Sequence, residues 1–180
     1  ILAAGLRSLA QAGPRVLAVD LLLSEPGNAG ADAELARSLL LFPHRILGAA
    51  LGASDSPSPV WIWPLPELEA SSTVAHVHAA PDPDGDVRSV LLAKVGESRR
   101  LWALGLESAR LFLRADRPVE TDDSIILGSL RIPATASSSR TLWINYSGPE
   151  GTFQRVSFAD LIERPADAAI FRDKLVILGV

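Results

Sequence analysis

Cysteine is absent from the sequence, which excludes disulfides, thiolate nucleophiles and cysteine-ligated zinc and leaves both oxidising and reducing compartments open. Methionine is absent too, even at position 1. The chain opens inside an apolar run, ILAAGLRSLA, and reads as a piece of a longer protein. No stretch reaches the roughly 18–20 uninterrupted apolar residues that a membrane-spanning helix requires, and no charged-then-apolar signal peptide is present. Any membrane anchor is therefore expected to lie outside these 180 residues. A basic stripe is missing as well. The 17 Lys and Arg are scattered apart from Arg99-Arg100, and a net charge of −4 argues against a nucleic-acid partner.

What is present is ordinary for a globular chain: 48% hydrophobic and 21% charged residues, with 13 Gly and 13 Pro, too few for a low-complexity polymer. Without an internal repeat or a long linker, residues 1–180 are predicted to form one domain. Leu2, Leu6, Leu9 and Ala10 recur at helical spacing and predict a helix over 1–12, stopped by Gly13-Pro14. RVLAVDLLL (15–23) is a nearly continuous apolar run interrupted by Asp20, as suits a strand buried on both faces. SEPGNAGAD is dense in turn formers, and Asp32 is placed to cap the helix ADAELARSLLLF that follows. RILGAAL (45–51) is a second buried strand. This order predicts a parallel crossover, with Ser24 and Glu25 at the carboxyl end of the first strand, where ligands of such sheets often sit.

Residues 52–66 hold four prolines with Trp61 and Trp63 and predict an irregular, exposed excursion. A strand over Ser72–Val77, the turn DPDGD and a strand VRSVLLAKV (87–95) read as an antiparallel pair. Residues 100–115 carry a helical apolar face. SIILG, SLRIP and RTLWINYS follow as strands, Ser157 is positioned to cap a helix FADLIE, and DKLVILGV ends on a third buried strand. The fold class is α/β. A central mixed, largely buried sheet is built from Val16–Leu22, Arg45–Leu51 and Leu175–Leu178, flanked by helices near 1–12, 32–41 and 101–115, with an antiparallel excursion added.

Asp82, Asp84 and Asp86 with Gly85 form D-x-D-G-D, whose alternating carboxylates resemble the start of a calcium loop. Counting from Asp82, Arg88 and Ala93 fall where the seventh and twelfth ligands belong, which favours a Pro-Asp-Gly turn. His76 and His78 are two apart, so on a strand both could address one metal ion, but no third ligand is evident and a structural role is the plainer reading. Asp20 and Glu25 invite an acid or base role, or simply a bond to an arginine or a backbone amide. With no G-x-S-x-G elbow and no histidine near a nucleophile, no catalytic residue is assigned. SGPEGTF (147–153) lacks the Lys-Ser/Thr of a phosphate loop and reads as a turn. Trp102 is expected to pack in a helix. The candidate ligand-binding residues are Trp61, Trp63, Glu25, Asp82, Asp84 and Asp86, with no metal and no cofactor.

Five stretches, in order, resemble the type-two CHASE domain, a bacterial extracytoplasmic sensing family. They are RVLAVDLLLSEP after a helix, DPDGDVRSVLL, LWALGLESAR, LWINYSGPEGTFQRVSFADLI and FRDKLVILGV. The run from Ile144 to Ile162 is the most specific. The flanking strand and turn of the family lie outside the sequence, so the sheet is expected to lack an edge strand. The resemblance implies a sensor held outside the cytoplasmic membrane between transmembrane helices, with an adenylate or guanylate cyclase, histidine kinase, serine/threonine kinase or cyclic-dinucleotide enzyme as output. It implies an unknown small-molecule or protein stimulus and carries no binding residue with it. The first helix and last strand would transmit the signal. The alternatives are a dimerisation module, acting as a homodimer without a small ligand, and a soluble α/β hydrolase-like enzyme.

Overall fold

The computed structural model describes residues 1–52, 59–96, 99–164 and 166–179. Helix α1 (Leu2–Gln11) buries Leu6 and Leu9 and stops where Gly13 takes φ +73°, a conformation suited to glycine just past a helix end. The chain turns through Pro14 into β1 (Val16–Val19), whose four residues are all buried. The predicted strand ran to Leu22. It ends at Val19 because Asp20 keeps its carboxylate in solvent while its N–H donates to the Leu178 carbonyl at 2.7 Å.

Helix α2 (Ala29–Leu39) starts three residues before the predicted position. Asn28, with extended backbone, caps it by accepting from the Gly30 N–H at 2.9 Å, and Asp32 sits in the first turn, accepting from the Gly27 N–H at 3.0 Å. Strand β2 (His44–Leu51) returns parallel to β1. Strand β3 (Trp61–Ile62) pairs antiparallel with the end of β2, so the proline-rich segment is not irregular throughout; residues 53–58 of it lie outside the described residues. Helix α3 (Pro66–Glu69) begins at a proline, whose missing N–H costs nothing there.

Strand β4 (Thr73–His76) corrects the expected antiparallel pair: it lies parallel to β2 in the main sheet. The stretch 87–95 instead breaks at Leu92, which turns into a core, giving β5 (Ser89–Leu91) and β6 (Ala93–Gly96). Strand β7 (Arg99–Trp102) pairs antiparallel with β6, so the predicted helix over 101–115 loses its first turn and becomes α4 (Leu104–Leu113). Leu101 fits both a helical and a strand period, and only the partner strand decides between them. Trp102, expected to pack in a helix, lies on β7 under the Arg100 guanidinium, 4.4 Å from its ring centroid.

Strands β8 (Val119–Glu120), β9 (Ser124–Leu127) and β10 (Leu130–Pro133) form a three-stranded antiparallel sheet, with Gly128 at φ +59° in the β9–β10 turn. Strand β11 (Thr141–Trp143) is shorter than the predicted strand and pairs antiparallel with β5, which lays TLWI alongside RSVL. Helices α5 (Phe158–Glu163) and α6 (Ala168–Phe171) follow; Ser157 stands at the α5 N-cap position without a side-chain bond. Strand β12 (Leu175–Leu178) is parallel to β1 at one edge of the main sheet, in the order β12-β1-β2-β4.

The layers follow from side-chain alternation. Leu17, Val19 and Leu47 meet Leu6, Leu9, Leu39 and Leu161 on one face. Val16, Ala18 and Ile46 meet Leu104, Leu111 and Phe112 of α4 on the other. The opposite side of α4 packs Leu106 against Leu92, Ile125 and Leu127, a second core. The fold is thus a mixed sheet flanked by helices, with separate antiparallel sheets joined to it through α4. Among the described residues, no helix is long and apolar enough to cross a membrane.

Candidate functional site

The seam between the two cores is incompletely filled. Beyond the carboxyl ends of β1 and β4 lies a cavity of about 450 Å³, within the range of small-molecule sites. Val77 forms one wall, the start of α4 a second, and Val90, Leu92, Ile132 and Leu142 of the antiparallel strands a third. Its position outside the carboxyl ends of parallel strands is the usual ligand position in open α/β sheets. The lining is almost wholly aliphatic. Among the described residues Asp20 supplies its only carboxylate, no Lys or Arg contributes, and the exposed Asp20 side chain has no hydrogen bond or ion pair.

His76 and His78 both border this cavity. His76, the last residue of β4, is sealed in the protein, 1% exposed, and neither ring nitrogen makes a hydrogen bond of good geometry, the Leu91 carbonyl being its nearest polar influence from the backbone. Burial, then the Lys94 charge, push its pKa down to about 4, with a smaller opposing effect of the Leu91 carbonyl and a further lowering by His78. His78 is lowered by the same two main causes, burial first and Lys94 second. Among the described residues no group of three metal-ligating side chains exists.

A pH dependence follows. The unfolded His76 titrates near its ordinary 6.5 and the folded one near 4, so between these values the unfolded chain holds the extra proton. Stability present above pH 6.5 is lost as the pH falls towards 4, by about 2 kcal/mol at pH 5. In denaturant titrations at pH 5 and pH 8, His76→Phe should abolish this part of the acid sensitivity. An unchanged pH slope in the variant would show that His76 is not its source.

The other sequence candidates lie elsewhere. Trp61, expected to be exposed, is buried, and its Nε1–H donates to the Arg99 carbonyl at 3.2 Å. Room for it exists because residue 96 is glycine: a Cβ there would stand 2.8 Å from the indole nitrogen. Trp63 stacks on Trp61 at 6.3 Å between centroids, carries the Arg99 guanidinium 5.1 Å from its ring centroid, and lines an open cleft with Glu69, Ser72 and Arg100. Glu25 is exposed in the loop after Asp20 and lines neither cavity.

Asp82, Asp84 and Asp86 converge on one guanidinium. Arg88 donates to Asp82 at 2.9 Å, to both oxygens of Asp84 at 2.8 and 2.7 Å, and to Asp86 at 2.8 Å. Arg88 holds the Asp84 carboxyl below its ordinary value. Gly85, at φ +91°, makes the turn that gathers them. The three carboxylates therefore already face a cation of their own chain.

This arrangement defines an α/β module with an aliphatic cavity at the carboxyl ends of its parallel strands. The chain belongs to the CHASE2 domain family, whose model matches residues 1–180, the whole of it. CHASE2 domains are extracellular sensory domains without catalytic activity, and the chain fits that role. No curated protein and no solved structure is significantly similar to it.

Proposed function

We propose that this chain is the extracytoplasmic sensing module of a bacterial transmembrane receptor whose output is a nucleotide cyclase, a histidine kinase or a serine/threonine kinase. The observation that carries the reading is the match of the entire chain to a sensory family; the cavity supplies a place for a stimulus. Signalling then requires two conformations with different affinity for the stimulus, since only a differential interaction shifts an equilibrium.

The absence of cysteine gives a direct test of location. Glu150 is 84% exposed and, among the described residues, paired only to an exposed Arg155, so Glu150→Cys should leave the fold intact. In the full-length protein, with any other cysteines removed, this thiol should react with a membrane-impermeant maleimide in intact spheroplasts. Labelling only after lysis would place the domain inside and end the proposal.

A further inference from the structure

We propose that the cavity beside α4 binds an apolar small molecule bearing an ammonium group, with the Asp20 carboxylate as the counter-charge and the aliphatic walls taking the body. This names the ligand class for the sensory reading above and rests on that reading only for the consequence of binding.

Three observations carry the assignment. First, about 450 Å³ of space lined by Val77, Val90, Leu92, Leu142 and the first turns of α4 offers hydrophobic contact and almost no hydrogen bonding, which suits an aliphatic or aromatic body. Second, the single carboxylate of the lining is unopposed: Asp20 has no hydrogen-bonding or ionic partner among the described residues, and no Lys or Arg lines the space. Burial and Lys94 hold both bordering histidines towards their neutral form, so they do not supply the missing positive charge. A ligand ammonium completes the pair and gains a charge-assisted bond. Third, Asp20 follows Ala18 by two residues, and so points to the sheet face on which α4 and the cavity lie.

The Asp-rich turn is excluded as the cation site by its own Arg88, and in the Trp63 cleft the one carboxylate, Glu69, already faces Arg99 at 3.8 Å. Asp20 is therefore the place where an organic cation meets both a free carboxylate and an apolar wall.

The test is calorimetric titration of the purified 180-residue chain with 2-phenylethylamine, 2-phenylethanol and 3-phenylpropionate, three molecules of nearly equal shape and different charge. The amine should bind about three- to fivefold more tightly than the alcohol, as an ion pair to an exposed carboxylate allows, and the acid more weakly still. Asp20→Asn, at an exposed position where folding is not at stake, should erase the preference for the amine. Ala109→Phe, which fills the cavity from α4, should weaken all binding, with its melting curve confirming that it folds. Equal affinity for the amine and the alcohol, an amine affinity indifferent to Asp20→Asn, or no binding of the amine each overturns the assignment. None of these alters the spheroplast labelling at position 150, so a failed ligand class and a failed sensory location are told apart.

Discussion

Arg110→Ala should lower the unfolding free energy by about 3 kcal/mol, because it strands a carboxylate inside the protein. Glu107 and Arg110 lie on α4 one turn apart, with Nε donating to Oε2 at 2.6 Å, and their side chains are only 9% and 19% exposed. In water such a helix pair contributes only a few tenths of a kcal/mol. Here the alanine variant removes the partner and leaves Glu107 with its desolvation uncompensated. A variant replacing both with leucine should recover most of the loss, because no charge then remains to be solvated. Urea titrations of the wild type, the single and the double variant decide it. A single-variant loss below about 1 kcal/mol would mean that water reaches Glu107.

Gly48→Val should cost about 3 kcal/mol, against the ordinary preference of strands for valine over glycine. Gly48 lies in β2, between β1 and β4. A Cβ there would stand 2.7 Å from Val77 Cγ1 and 3.1 Å from the Val19 carbonyl oxygen. The first neighbour is a side chain and can shift, but the second is backbone of a strand paired on both sides and cannot. Gly105→Ala in the first turn of α4 is the matched control. Its Cβ would meet nothing within 4 Å, so only helix propensity changes, and the variant should be more stable by up to about 1 kcal/mol. Opposite signs at two glycines, read from melting curves, would confirm that contact and not residue type governs the first. Stabilisation by Gly48→Val would contradict the packing described for β2.

The parallel core was legible in the sequence because β1 and the middle of β2 are covered on both faces; β12, expected as a third buried strand, is apolar but lies at the sheet edge with Leu175 and Ile177 exposed. VLAV, RILGAAL and LVIL are apolar at nearly every position, and a run of that kind has few other places to go. The antiparallel part was less legible because its strands are short and their partners distant. Nothing local in VRSVLLAKV marks Leu92 as the break between a strand paired with residues 141–143 and one paired with 99–102. Trp61 looked exposed among its prolines because the space that buries it is created by Gly96, 35 residues away. The cavity was the least legible feature. Val90, Leu92 and Leu142 are indistinguishable in sequence from residues of a filled core, and a void is a property of how two cores fail to meet. Only Asp20 gave a local sign, as a charge set in an apolar run, and the sequence offered no means of telling a ligand's counter-charge from an arginine's partner.

The same residue that closes the cavity also anchors a strand. The Asp20 amide donates to the Leu178 carbonyl at 2.7 Å, and a Cβ added at Gly179 would lie 3.5 Å from the Asp20 Cβ. A residue of the cavity lining is thus bonded through its own backbone to β12, at the open end of the sheet, where a ladder frays first.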